Sequence, residues 1–559
     1  MSELSRFMNE SKMRCFLNNA RKLRMRFILL ALAILSLYLF ISYILLEVWF
    51  VKSGQKTKST PMSVSLTYVT VHVDLKGTPL KLSYLESLLP LMKENGVNSL
   101  LMEYEDMFPY EGKLANLSAE NCYKKPELES FIYKALKVGI EVIPLVQTFG
   151  HLEYALKLEE FKHLREEVLY PDSICPSKRE TMVFLAHMIG QIMDFHNSIR
   201  TLRYIHVGCD EVFHINKCQH CLKRDLVDMD IFLHHVKTLS DVMKSQYSDT
   251  TLLIWDDMLR GIKPGEWDYI EGLENVQPVC WDYGTEIQIS HANLFKYHKK
   301  FQHLWISTAF KGADGRTATF PDLRNRFMNT YSWMNMISNY KFGGESQVYN
   351  FRGVILTGWS RYSHMDAPCE LLPVAIPSLI LNLMVIQKFK SGVTTDEGSD
   401  FLEDFFNKYL GTEMIQSLKC VIDIDNFDNS ECEFDGKQLY EVLKAYTTIS
   451  GNLDDIFNDD KLGLKYVEFY SKLNLINKNI MSNHSTLVVK YLKDIMNIEN
   501  CLAKEMSKYY ESEFVVEYVN YKISPIKKKL QRLLNIYDVV NNVSTWTRRS
   551  KNNNSFAVT

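Results

Sequence analysis

The run Tyr204-Ile205-His206-Val207-Gly208-Cys209-Asp210-Glu211 ends an apolar stretch in two adjacent carboxylates. Successive strand residues face opposite sides, so Asp210 and Glu211 cannot both enter a core. Burying an unpaired charge is costly, so the pair needs a solvated or functional setting. One such setting is the mouth of a parallel α/β barrel, where strand C-termini present reactive side chains and carboxylates do acid-base work. The alternative is the first turn of a following helix, where acids suit the helix dipole.

The surrounding elements decide between the two. Short apolar, β-branched runs recur at Tyr68–Asp74, Ser99–Glu103, Glu141–Val146, Tyr204–Cys209, Leu252–Trp255, Val279–Trp281, Leu304–Thr308 and Gly353–Thr357. Helical spacing of apolar residues appears between several of them, at Tyr84–Glu94, Pro126–Lys137 and Glu180–Asp194. Strand-helix alternation predicts a parallel sheet. Eight repeats over about 300 residues match a (β/α)8 TIM barrel. An open doubly wound sheet is the rival, but no G-x-G-x-x-G follows the first run. Most runs end in acids or aromatics: Asp74-Leu75-Lys76-Gly77, Glu103-Tyr104-Glu105-Asp106, Trp255-Asp256-Asp257, Trp281-Asp282-Tyr283 and Gly358-Trp359-Ser360-Arg361-Tyr362. Aromatic faces stack on pyranose C–H faces and carboxylates bind hydroxyls, so these ends together predict a carbohydrate cleft.

The chain has 559 residues, enough for more than one domain. Its net charge of -3 offers no basic field for nucleic acid, which is excluded as a partner. Residues 27–46 are 20 uncharged apolar residues, long enough at ~1.5 Å per residue to cross a ~30 Å bilayer core as a helix. Lys12, Arg14, Arg21, Lys22, Arg24 and Arg26 precede this run, which predicts a cytosolic N-terminus and a lumenal body. The expected organisation is a cytosolic tail (1–26), a transmembrane signal-anchor helix (27–46), a stem linker (47–65), the catalytic barrel (66–385), a C-terminal helical domain (386–546) and a disordered tail (547–559). Leu439–Asn452, Leu462–Asn483, Leu487–Lys508 and Val515–Val543 carry the helical pattern of the tail. A lumenal body predicts disulfides and glycans, with sequons at Asn116, Asn483, Asn542 and Asn553.

His206-Val207-Gly208-Cys209-Asp210-Glu211 resembles the H-x-G-x-D-E signature of glycoside hydrolase family 20, the β-N-acetylhexosaminidases. The closer similarity is to the hexosaminidase D branch. It rests on Asp74-Leu75-Lys76-Gly77, on residues 103–112 and 142–151, on Trp255-Asp256-Asp257-Met258-Leu259-Arg260 and on Leu356-Thr357-Gly358-Trp359. It spans roughly residues 68 to 380. The chain departs from lysosomal relatives in carrying Gln147-Thr148-Phe149 before Gly150-His151. It departs from the vertebrate members of the branch in its apolar N-terminal segment.

The resemblance implies substrate-assisted hydrolysis of terminal β-linked GlcNAc or GalNAc from glycans, an exception to the two-carboxylate scheme. Glu211 would be the general acid and then base, with a raised pKa. Asp210 would hold the substrate's acetamido N–H and stabilise the oxazolinium ion. Tyr283 would clamp the acetamido carbonyl, and Trp255, Trp281 and Trp359 would wall the pocket, the alternative for each Trp being barrel packing. His151 would support the acids, the alternative being a core histidine. Asp74 and Glu105 would meet sugar hydroxyls. A two-carboxylate glycosidase using Glu103 or Asp256 as nucleophile, and a non-catalytic glycan-binding barrel, are the competing readings. The Cys218-Gln219-His220-Cys221 run, with His214 upstream, is half of a structural zinc pattern with no second C-x-x-C. Disulfide pairing or free buried thiols is the expectation in an oxidising lumen, with no metal and no cofactor.

Overall fold

The computed structural model describes residues 65–546 apart from 340, 343–346, 349–350, 393–415, 421–430, 459–462 and 474. The expected membrane span, stem, cytosolic tail and extreme C-terminus, Asn553 included, lie outside the described residues.

Eight strands close into a barrel: β1 (Tyr68–Asp74), β2 (Ser99–Glu103), β3 (Glu141–Leu145), β4 (Tyr204–His206), β5 (Thr251–Trp255), β6 (Val276–Trp281), β7 (Leu304–Lys311) and β8 (Phe351–Gly358). Each pairs in parallel with its chain neighbours, and β8 returns to β1 through Tyr68 opposite Gly353. The open sheet is thereby excluded. Strands buried on both faces need no polar alternation, which is why they read as continuous apolar runs. Tyr68, Leu101, Ile143, Tyr204, Leu253, Trp255, Val279, Trp305 and Ile355 fill the interior as one cluster. Val69, Val71, Val73, Leu100 and Met102 belong to the larger core that includes the surrounding helices.

The helices follow their apolar spacing. Helix Leu82–Glu94 buries Tyr84, Leu85, Leu88, Leu89 and Met92, one stripe at helical period. Fully burying one such leucine contributes about 1.5–3 kcal/mol. Helices Lys125–Lys137 and Arg179–Ile199 cover the next strands, with Pro126 in the first turn of the former, where its missing N–H costs nothing. After β5 the α-helix is replaced by two 3-10 segments, Asp257–Gly261 and Pro264–Tyr269. A hairpin, Arg165–Glu167 with Tyr170–Ile174, lies between β3 and its helix.

Among the described residues one apolar helical stretch, Leu372–Lys390, is long enough to cross a membrane. It is a largely buried barrel helix, packed against helix Leu323–Asn339. The C-terminal helices are Lys437–Asn458, Leu464–Lys472, Lys478–Met506 and Ser512–Asn541. The continuous helix expected over Leu462–Asn483 is instead broken before Asn477, whose side chain caps the next helix by accepting the Asn479 N–H at 3.0 Å. The tail joins the barrel through a bridge of Leu80 with Tyr510 and through Arg361 bonded to Glu517 at 2.9 Å. One disulfide, Cys420–Cys432, is present among the described residues.

Candidate active site

The loops after β3 and β4 bring an imidazole against the two acids. β4 ends at His206, not at Cys209, because the backbone leaves extended geometry just beyond it. Gly208, Cys209 and Glu211 take φ of 68°, 69° and 44°. Left-handed geometry is rare for residues with side chains, and such strained positions cluster at functional sites. No helix begins at Glu211, so the first-turn alternative fails. A Cβ at Gly208 would lie 1.9 Å from Gln147 Oε1, so any larger residue there would displace that side chain. At Gly150 a Cβ would meet the Asp210 carbonyl oxygen at 2.3 Å. The β3 loop thus passes directly against the Asp210 backbone and delivers His151, itself at φ 53°.

His151 Nε2 stands 3.6 Å from Asp210 Oδ2 and 3.3 Å from Glu211 Oε2. The two acids differ sharply in exposure. Asp210 is buried and its Oδ1 has no hydrogen-bond partner among the described residues. The Glu211 side chain is 42% exposed. Burial pushes the Asp210 carboxyl up to about 7, against the attraction of His151 and with the help of Asp257 and Glu211. Glu211 moves the other way: its hydrogen bond to His151 holds it below the usual carboxylate range, and the charges of Lys76 and Arg316 add to this. The raised value expected for Glu211 is therefore corrected for the free site. Burial disfavours charge on His151, but Asp210 and Glu211 outweigh it and raise the imidazole to about 9.

Asp257 supports this pair, a role not assigned to it from the sequence. Its Oδ2 accepts the Glu211 N–H at 2.9 Å and its Oδ1 accepts Trp281 Nε1–H at 3.1 Å. One carboxylate thus fixes both the Glu211 backbone and the Trp281 ring. The adjacency of Asp256 and Asp257 was visible, but not which turns inward. Asp256 is fully buried, paired with Arg260 at 2.6 Å, and it accepts the Trp281 N–H. Glu103 is buried between His72 at 3.0 Å and Lys76 at 3.6 Å. Burial opposes its charge, yet Lys76, His72 and Gln147 bring it down to about 2. Neither Asp256 nor Glu103 presents a free carboxylate to a sugar, which disfavours the two-carboxylate reading.

The other expected residues divide. Trp281 and Trp359 are half-buried against the interior cluster, with Arg260 over the Trp281 ring and Lys76 over the Trp359 ring. Tyr283 stacks on Trp281 with centroids 5.2 Å apart, and burial raises the pKa of its phenol. Trp255 is buried in the barrel interior and touches Trp359 and His206, the packing alternative. Asp74 spends both oxygens on backbone, accepting the Lys76 N–H at 2.8 Å and the Ser360 N–H at 2.7 Å. It closes the β1–β8 seam and is not turned to solvent. Glu105 is also buried, bonded to His364 Nδ1 at 2.8 Å, and burial raises its carboxyl well above the ordinary range. Asp74 and Glu105 are thus both buried, with Lys76 as the cation beside them.

A closed eight-stranded barrel with an Asp-Glu pair at a strand C-terminus defines a class, the (β/α)8 glycosidases, and comparison narrows it. Glycosyl hydrolase family 20, catalytic domain, matches residues 76–360. Hexosaminidase D of Bos taurus is 39% identical over 325 residues, covering 56% of this chain and 91% of the relative. Hexosaminidase D of Homo sapiens is 36% identical over 335 residues, covering 59% of this chain and 66% of the relative. A solved beta-N-acetylhexosaminidase from Bacteroides fragilis NCTC 9343 aligns at TM-score 0.44 and 16% identity, over 61% of this chain and 70% of that chain. The chain belongs to glycosyl hydrolase family 20. It is a glycoside hydrolase similar to hexosaminidase D.

Proposed function

We propose that the chain is a retaining exo-β-N-acetylhexosaminidase that removes terminal β-linked GlcNAc or GalNAc from glycans, with the substrate's own acetamido group as nucleophile. The observation that carries this reading is the pairing of a buried Asp210 with an adjacent, partly exposed Glu211, both within 3.6 Å of one His151 nitrogen. Glu211 protonates the glycosidic oxygen as the acetamido oxygen attacks the anomeric carbon. The aglycone leaves as an alcohol and an oxazolinium ion forms. Asp210 accepts the acetamido N–H and stabilises the positive charge. Water then attacks the anomeric carbon, Glu211 takes its proton, and the sugar leaves with configuration retained.

The free-site electrostatics suit this sequence once a sugar binds. Glu211 is ionised while solvent and the imidazolium reach it. A pyranose covering Glu211 removes that solvent and raises its proton affinity. His151 then passes it a proton across 3.3 Å, and the charge left on the protein favours the cationic intermediate. Trp281, Tyr283 and Trp359 form the wall of the pocket.

The body is placed in the lumen behind the 27–46 anchor as a type II membrane protein, in the Golgi or another secretory-pathway membrane. The Lys/Arg cluster before that segment supports this orientation. The test of the reaction is a chromogenic assay on β-GlcNAc, β-GalNAc and β-glucose glycosides, with intact mass recorded after exposure to a 2-fluoro sugar. Turnover of the two acetamido sugars alone, with no adduct, is expected. Cleavage of the glucoside, or a stable adduct on a carboxylate, would overturn the proposal.

A further inference from the structure

Outside the cleft, the fold assembles three thiols and a carboxylate from two separate segments. Glu166, Cys175, Cys218 and Cys221 place one ligand atom each within 4.8 Å of all the others. Cys175 Sγ lies 3.2 Å from Cys218 Sγ and 3.7 Å from Cys221 Sγ. Glu166 Oε2 lies 3.2 Å from Cys221 Sγ. Glu166, Cys175 and Cys221 are buried and Cys218 is half-buried.

We propose that these four side chains form a structural zinc site that ties the loop after β3 to the loop after β4. A tetrahedral ion with Zn–S bonds of ~2.3 Å sets sulfur–sulfur edges of about 3.8 Å, and S–O edges somewhat shorter. The Cys175–Cys221 separation of 3.7 Å matches such an edge, and the Cys175–Cys218 and Glu166–Cys221 separations, both 3.2 Å, are shorter than theirs. A disulfide needs sulfurs ~2.05 Å apart. Any single disulfide here would also leave the third thiol and a buried carboxylate facing each other. Three soft thiolates with one carboxylate suit the borderline-soft zinc ion better than calcium or magnesium, which prefer all-oxygen sets. Four protein ligands close the coordination sphere, so the site is structural and not catalytic.

The surroundings orient the ligands as outer-shell groups do. Glu166 Oε1 accepts the N–H groups of Lys217 at 2.6 Å and Cys218 at 2.9 Å, leaving Oε2 turned toward the thiols. The Cys221 N–H points to Cys218 Sγ at 3.4 Å. Ser177 Oγ lies 3.1 Å from the Cys221 sulfur and accepts from Arg224 Nη1 at 3.2 Å. Neither histidine of the sequence pattern takes part. His214 is held by Asp172 at 2.9 Å and stacks on Tyr170, and His220 is exposed. Cys175, Cys218 and Cys221 are free thiols, one of the two expectations, and the pattern showed only half of a site because Glu166 and Cys175 lie more than forty residues before Cys218.

The placement gives the ion a task. Glu166 and Cys175 belong to the hairpin region that follows His151. Cys218 and Cys221 follow Asp210-Glu211. Between them the contact of Gly150 with the Asp210 backbone sets the spacing of imidazole and acids. A metal at the far end of the same two loops holds that spacing.

The test is metal analysis of the full-length chain purified without chelators. About one zinc per chain is expected. Replacing zinc by cobalt should give the thiolate charge-transfer and tetrahedral d–d absorption bands in the wild-type protein. Cys221→Ser should lower bound zinc at least tenfold, and Glu166→Gln should weaken it by ~10–100-fold, since one ligand is lost or neutralised. Chelation should lower Tm, with recovery on adding zinc. A wild-type chain without zinc, whether its thiols are free or Cys175 is disulfide-bonded to Cys218 or Cys221 by non-reducing peptide mapping, would overturn the proposal. So would zinc binding that survives Cys221→Ser undiminished.

Discussion

Glu211→Gln cannot deliver a proton, so kcat on natural glycosides should fall by ~10²–10⁴-fold. Aryl glycosides with good leaving groups need less protonation, so their first step should suffer less. Asp210 carries the opposite balance. A carboxyl raised to about 7 by burial is ionised in the unfolded chain and costly to ionise in the folded one. Its charge therefore lowers stability by up to about 4 kcal/mol above pH 7, and the cost shrinks progressively as pH falls from about 7 to about 4, where the unfolded carboxyl also takes up its proton. Asp210→Asn should raise Tm at pH 8 while turnover collapses, and a Tm lower than wild type would show that the pairing with His151 outweighs burial. The same groups set the pH profile of kcat/KM. Below about 7 Asp210 is protonated and cannot stabilise the cation, and above about 9 His151 has lost the proton it supplies. A bell between those limbs is expected, with the alkaline limb lost in His151→Gln. The acid pair itself was legible in the sequence only beside the other strand ends, because two carboxylates closing an apolar run can equally open a helix. Their electrostatic division was not, because it depends on which acid the β3 loop covers.

The loops after β3, β4 and β5 form the unit that holds the site. Gly150 lets two backbones touch, Gly208 lets Gln147 pass, and Asp257 reaches from the β5 loop to the Glu211 N–H. Gly150→Ala should cost about 1–3 kcal/mol through overpacking. It should also lower kcat more than it raises KM, because it moves His151 relative to both acids; thermal unfolding and steady-state kinetics check the two effects separately. All eight strands were readable, since parallel strands buried on both sides appear as short apolar runs. The 3-10 pair after β5 was not, because Pro264-Gly265 interrupts a stretch whose remaining residues are compatible with a helix. The buried roles of Asp74 and Glu105 were hidden as well. Both sit at strand ends where exposed acids are expected, and only the closing of β8 onto β1 and the approach of His364 reveal their partners.

For the whole molecule, the C-terminal helices belong to the barrel's stability. Tyr510, Phe514 and Tyr518 are buried, and Arg361 spans from the Gly77 carbonyl to Glu517. A 66–392 fragment exposes the barrel surface these residues cover, and calorimetry should show it losing the cooperative unfolding of the 66–546 chain. The position of these helices was legible from their spacing, but not their break before Asn477, where a local cap overrides the pattern. The proposed topology is tested on sealed microsomes. Residues beyond the anchor should resist protease until detergent is added, and digestion without detergent would reverse the orientation.

The central claim is that the substrate's acetamido oxygen, held by Asp210 and assisted by Glu211, is the nucleophile. The most direct measurement is the inhibition constant of the thiazoline analogue of GlcNAc beside that of GlcNAc itself. The thiazoline reproduces the cyclic intermediate, and analogues of such species bind at least ~10²-fold tighter than ground-state ligands. A ratio of that size, lost in Asp210→Asn, is the predicted result. A thiazoline that binds no better than GlcNAc would contradict the account.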